Sequence, residues 1–147
     1  HPQAVVSPSA KLGNGITVLA GAVINADARL GENVLVNTGA IVEHDCVVGS
    51  HVHIATGAVL TASVVIGTGA HIGAGATVRQ GIAIGEAAVV GAGAAVVKDV
   101  ELRTIFRGLL PFVADNRVHV VPPCVVTDDE VARALAIYDE AFAAVSA

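Results

Sequence analysis

The stretch VNTGAIVEHDCVVGSHVHI, Val36 to Ile54, places Val36, Val42, Val48 and Ile54 six residues apart. The same step continues in both directions, through Val6, Leu12, Val18, Ile24 and Leu30 and through Leu60, Ile66, Ile72, Val78, Ile84, Val90, Val96 and Leu102. All seventeen positions are Val, Ile or Leu. A second ladder lies four places after each, from Ala10, Ile16 and Ala22 through Cys46 to Val100, and is small or aliphatic throughout. An α-helix repeats every 3.6 residues or so and cannot keep a six-residue spacing on one face. Short strands joined by turns can. Glycine often follows the large residue, as at Gly31, Gly49, Gly67 and Gly73, where a corner needs tight backbone geometry. Three hexapeptides then close one triangular coil of about 18 residues, and coils stack about 4.8 Å apart. Residues 6 to 102 supply about five coils of an all-β parallel β-helix.

Composition bounds the rest. A chain of 147 residues suits one compact domain. Its 8 basic and 13 acidic residues give a net charge of −5, which argues against a nucleic-acid or anionic-membrane partner. Hydrophobic residues make up 54% and aromatics only 3%, so the core must be aliphatic. No apolar run approaches the 18 or so residues of a membrane-spanning helix, and no signal-peptide pattern opens the chain. The start at His1 rather than Met suggests a processed or excised piece. Cys46 and Cys124 make no disulfide framework, so a reducing cytoplasm is the expected setting.

A coil of this size aligns residues that differ by 18. His53 and His71 form one column, Asp27, Asp45 and Ser63 a second, and Asn25, Glu43, Thr61 and Arg79 a third. His44 lies between Ala26 and Ala62. Cys46 falls on the inward small-residue ladder, where it reads as a buried hydrophobe. His44, flanked by Glu43 and Asp45, stands two places after Val42 and points outward. Neutral histidine accepts a proton near physiological pH, and a carboxylate on its other ring nitrogen orients and strengthens it. An acid–His pair on a solvated surface is also common and inert, so the residues alone leave both readings open. His51 and His119 read as surface or packing residues, and His1 has no indicated role.

The same stretch resembles the hexapeptide-repeat acyltransferases that N-acetylate UDP-4-amino-sugars, together with the related sialic-acid O-acetyltransferases. The resemblance covers residues 1 to about 100 and rests on Asn37, on Glu43–His44–Asp45 seven residues later, and on His53 nine further on. It implies a left-handed β-helix, an exception to the usual right-handed crossover. It implies acetyl-CoA as co-substrate and a small amino-sugar or nucleotide-sugar as acceptor; the outward apolar or small residues of the faces, such as Val23, Leu35, Ala83 and Val89, predict a homotrimer. It also implies a catalytic group of His44, Asp45, Glu43 and Asn37, in which His44 is the general base and Asp45 orients it. His53 is implied to lie near the acetyl thioester, with Ala62, Ala74 and Ala92 at positions whose backbone contacts acetyl-CoA. Two departures stand out. The family has glycines where this chain reads LTASVVIG, and it carries an N-terminal α/β sugar-binding domain that is not expected here, the sequence opening at His1 on the repeat itself.

Amine and hydroxyl acceptors are not separated by these residues. A sugar O-acetyltransferase and a non-catalytic β-helix that trimerises a larger protein therefore stand as alternatives to an amino-sugar N-acetyltransferase. No metal is expected, because the His44, His53 and His71 spacings do not resemble those of β-helix carbonic anhydrases. The expected organisation is a β-helix domain over 1–105 and an extension over 106–147. In the extension, Thr127 and Glu130 form a capping box. Val131, Leu135, Tyr138, Phe142 and Val145 then trace an apolar stripe, which predicts a C-terminal α-helix near 128–145. The segment VHVVPPCVVTDDEVARALAIYDEAF also resembles the end of class III pyridoxal-phosphate aminotransferases. Neither Lys11 nor Lys98 sits in a matching motif, so no pyridoxal phosphate is predicted.

Overall fold

The computed structural model describes residues 1–101 and, beyond them, the backbone of Ile105–Phe106, Pro111–Ala114 and Arg117–Val120. Sixteen two-residue strands run from Val5–Val6 to Ala95–Val96, and in each the second residue belongs to the large aliphatic ladder. They form three parallel sheets, the faces of a β-helix of about five coils, consistent with the left-handed form. The first face carries Ile41–Val42 and Val59–Leu60, the second Val47–Val48 and Val65–Ile66, the third His53–Ile54 and His71–Ile72. Partners in adjacent strands differ by 18, as in Ile41↔Val59, Val47↔Val65 and His53↔His71. The columns read from the sequence are therefore columns of the structure.

Burial follows the two ladders. Ile24, Val36, Val42, Ile54, Leu60, Ile72 and Val78 have no exposed surface, and the small ladder, including Ala28, Ala58 and Cys46, fills the space between them. Among the described residues no polar or charged side chain is buried. Such an interior buries apolar area without orphaned polar groups, and it leaves chemistry only to the outward residues of the faces and corners. The corners are tight. Asp27, Asp45 and Ser63, one of the predicted columns, all take the left-handed conformation, with φ of 59°, 59° and 58°. Short polar side chains accept that region more readily than most.

The ladder slips at its end. Ile84 pairs with Val100 and Val90 with Phe106, sixteen residues on rather than eighteen. The cause is visible at Asp99. Its Oδ1 accepts from Ala83 N–H at 2.8 Å, and Gly85 N–H bonds to Val100 O at 2.7 Å. In the coils below, backbone carbonyls take both roles, so a side chain standing in for one of them closes this coil two residues early. Val100, not Leu102, takes the next paired position; Leu102 itself lies outside the described residues.

The chain divides into two compact units, His1–Gly108 and Leu109–Ala147. In the second, Pro111–Ala114 and Arg117–Val120 form an antiparallel hairpin, which the sequence reading had not drawn. The helix expected near 128–145 lies outside the described residues, as does Cys124. No helix among the described residues is long and apolar enough to cross a membrane.

Candidate active site

His44 stands on the corner between Ile41–Val42 and Val47–Val48, where the first face passes to the second. The left-handed backbone at Asp45 turns its carboxylate back onto the preceding ring, and His44 Nδ1 meets Asp45 Oδ2 at 2.8 Å. Neighbouring coils hold the corner. Asp45 N–H donates to Ala26 O and Ser63 N–H donates to His44 O, each at 3.0 Å. Both side chains are more than half exposed, at 56% and 58%. The hydrogen bond to Asp45 raises the His44 pKa above its ordinary value. Loss of hydration opposes it, and the charges of Asp45 and then Glu43 reinforce it. With Nδ1–H given to the carboxylate, the lone pair lies on Nε2, which makes no hydrogen bond among the described residues. This is the electronic arrangement of a general base.

Cys46, next along the corner, does not share this chemistry. It is fully buried, its Sγ donates to Thr61 O at 3.1 Å, and burial pushes its thiol pKa up. It packs the core, as its place on the small-residue ladder indicates.

The other candidates gather on a different edge, where the third face passes to the first. Asn37 follows Leu35–Val36, and its Nδ2 lies 3.2 Å from His53 Nε2. His53 and His71, on the third face, meet edge to face with ring centroids 4.8 Å apart and planes at 74°. Burial, then the charge of His71, lowers the His53 pKa. Ala74 and Ala92 lie on the turns of the same edge, one coil apart and linked by Gly93 N–H donating to Ala74 O at 2.8 Å. Both are exposed. Ala62 instead belongs to the His44 edge, one coil further on. Its carbonyl accepts from Gly81 N–H at 3.0 Å, while no hydrogen bond among the described residues engages its N–H.

The residues singled out by sequence thus form two clusters within one copy. His44, Asp45, Glu43 and Ala62 share one edge; Asn37, His53, Ala74 and Ala92 share another. Asn37 and His44 flank the strand Ile41–Val42 at opposite ends of the first face, and the Asn37 side chain bonds His53 rather than His44. His51 lies on the third edge, 3.1 Å from Asn33 Nδ2 through its Nδ1. One partner escaped the sequence reading. The Asn37–His53 bond joins residues 16 apart, one coil less two, whereas column alignment tracks 18. His71 was placed in the His53 column, but only coordinates show the rings in contact. Among the described residues no group of three or more His, Cys, Asp or Glu is placed to hold a metal ion.

Residues 27–62 match the family described as bacterial transferase hexapeptide (six repeats). Among solved structures, the acetyltransferase domain of PglB from Neisseria gonorrhoeae, in complex with acetyl coenzyme A, is similar. It shares 46% identity and a TM-score of 0.68, over 69% of this chain and 49% of that one. PerB from Caulobacter crescentus, in complex with CoA and GDP-perosamine, shares 46% identity and a TM-score of 0.69, over the same 69% and 49%. A hexapeptide transferase family protein from Anaplasma phagocytophilum shares the fold alone, at 14% identity and a TM-score of 0.50, over 88% of this chain and 83% of that one. The chain spans about half the length of the first two. No curated protein sequence matches it.

Proposed function

We propose that the chain is an acetyl-CoA-dependent N-acetyltransferase acting on an amino-sugar, in first place a nucleotide-linked 4-amino-sugar, with His44 as general base. The observation that carries this reading is the 2.8 Å His44–Asp45 bond on an exposed corner, which leaves Nε2 as the free basic nitrogen. The similar PglB domain was solved with acetyl coenzyme A, and PerB with CoA and a nucleotide-linked perosamine, which supports both the donor and the acceptor class.

The acceptor amine attacks the thioester carbonyl carbon. A C–N bond forms and the carbonyl π pair moves onto oxygen, while His44 Nε2 takes the amine proton. Collapse of the adduct re-forms the carbonyl, breaks the C–S bond and expels CoA as the thiolate, which then takes up the proton from His44. Asp45 holds the imidazolium in between. The corners at half-buried Ala62 and exposed Ala74 and Ala92 present small side chains, which let a slender pantetheine arm lie close to the backbone.

The site is shared between copies in a homotrimer. One copy keeps its base and its Asn37–His53 pair on separate edges, so one reaction needs the first edge of one copy beside the second edge of another. The faces supply a reason to associate. Val47, Val65 and Val89 remain 44%, 46% and 37% exposed, and Val23 and Leu35 are half-buried. Apolar surface of this kind is covered at interfaces. We place the enzyme in the cytoplasm.

Turnover of acetyl-CoA against nucleotide-linked amino-sugars, simple amino-sugars and sialic acid tests the proposal. Transfer to a nucleotide-linked amino-sugar by a protein of trimeric mass is expected. Transfer to sialic acid alone makes the enzyme an O-acetyltransferase. Failure to bind acetyl-CoA at all leaves a structural trimerising module.

A further inference from the structure

The edge that carries His53 determines which of its ring nitrogens holds the proton. Asn37 Oδ1 accepts from Thr38 N–H at 2.7 Å. That bond fixes the orientation of the amide, since only an oxygen accepts there. The amide nitrogen Nδ2 therefore faces His53, and it can only donate. His53 Nε2, 3.2 Å away, must be the acceptor and hence the unprotonated nitrogen. Neutral His53 then carries its single proton on Nδ1. A second proton on Nε2 would set two N–H donors against each other.

The surroundings work in the same direction. In its column, His53 packs between Leu35 below and His71 above, with Val89 beyond. Leu35 and Val89 are apolar, so His71 is the one titratable group stacked on it, and the two rings cannot both be charged at 4.8 Å without repulsion. Partial burial and the His71 charge both move the His53 pKa below the ordinary value. The edge-on His71 ring also limits rotation of His53 about its side-chain bonds.

We propose that Asn37 and His71 are positioning residues for His53, and that they lock it as the Nδ1–H tautomer, a hydrogen-bond donor to the acyl oxygen rather than a base. The division of labour follows from two histidine environments in one chain. His44 gives Nδ1–H to a carboxylate, which makes its Nε2 basic. His53 receives an amide N–H on Nε2, which makes its Nδ1–H the available group. A donor aimed at the thioester oxygen gains strength as that oxygen becomes anionic in the tetrahedral adduct. The donor role rests on the acyl-transfer reading above; the tautomer lock does not.

The test uses histidine ring nitrogen shifts, recorded by NMR on the full chain labelled at histidine, together with steady-state kinetics. In the parent, His53 should show a protonated Nδ1 and a bare Nε2 and should titrate below an ordinary histidine. Asn37→Asp is nearly isosteric but can only accept. It should move the proton to Nε2, raise the His53 pKa and lower kcat about 100- to 1,000-fold, the usual loss for one oxyanion donor, with little change in acceptor KM. His71→Ala should lower kcat about 10- to 100-fold through misplacement of the ring, and His71→Phe, which restores an edge-on ring, should recover most of it. A parent with Nε2 protonated overturns the lock. An Asn37→Asp variant with the inverted tautomer and parental kcat overturns the donor role, and a parental His71→Ala overturns the part given to His71. A parent that transfers no acetyl group overturns the acyl-transfer reading and the donor role with it, while the nitrogen shifts still decide the lock.

Discussion

Gly73 and Gly75 stand in one turn of the edge that carries Asn37 and His53, yet alanine at each should fail for a different reason. At Gly73 the obstacle is space. A Cβ there would lie 2.5 Å from Ala92 N and 2.6 Å from both Gly91 C and Val90 O, all backbone atoms of the next coil. Ordinary contact begins near 3.4 Å, so the coils must part by about 0.9 Å, against a normal spacing of roughly 4.8 Å. Two bonds cross that gap, Gly73 N–H to Val90 O and Gly93 N–H to Ala74 O, each 2.8 Å. Stretching both forfeits about 2 kcal/mol, and residual overpacking adds about 1 kcal/mol or more. Gly73→Ala should therefore cost roughly 3–4 kcal/mol. At Gly75 a Cβ meets nothing within 4 Å, but φ is +66°. Holding alanine in that region costs about 1 kcal/mol, and Ala87, with φ of 53°, already does so in this chain. With a urea slope near 2 kcal/mol/M, the midpoint should fall about 1.5–2 M for Gly73→Ala and about 0.5 M for Gly75→Ala. Equal shifts, or a larger one for Gly75→Ala, would refute the claim that coil-to-coil contact rather than backbone conformation sets the cost at Gly73.

Other outcomes follow from the His44 corner. His44→Ala should lose about 100- to 10,000-fold in kcat with its mass by light scattering and its urea midpoint unchanged, because the side chain is exposed. Asp45 raises the His44 pKa and the base must be neutral, so the acid limb of the kcat profile should bend at a pH above the ordinary histidine value. Asp45→Asn should shift that bend downward and slow the reaction, visible in the same pH series. In a Cys124→Ser background, Cys46 should resist thiol reagents until the protein unfolds, because its sulfur is buried and its pKa raised; rapid labelling of the native protein would contradict its packing role.

The fold was legible because two aliphatic ladders at a six-residue spacing admit few other structures. They located the core, the faces and the columns, among them that of Asp27, Asp45 and Ser63, whose shared left-handed backbone the structure adds. The regularity ended where a side chain replaced a backbone acceptor. Nothing in the spacing of Val96, Val100 and Leu102 says that the carboxylate of Asp99 will cap Ala83 and shorten the coil. The His44–Asp45 pair was legible as neighbours in sequence. The Asn37–His53 bond was not, since it depends on how far an amide reaches across a coil boundary and on which way Thr38 N–H turns it. The hairpin of Pro111–Ala114 with Arg117–Val120 was missed because its strands lie outside the hexapeptide rhythm.

The most direct measurement is complementation between two inactive variants. His44→Ala removes the proposed base on one edge, and His53→Ala removes the proposed donor on the other. Co-expressed in equal amounts, they should form mixed trimers in which one of the three interfaces joins an intact His44 to an intact His53. Random assembly makes about a quarter of all sites functional, as cyclic three-fold symmetry requires. Acetyl transfer to the amino-sugar at about a quarter of the parental rate is the expected result. Activity no greater than the mean of the two variants measured separately would contradict a site built from two edges of neighbouring copies.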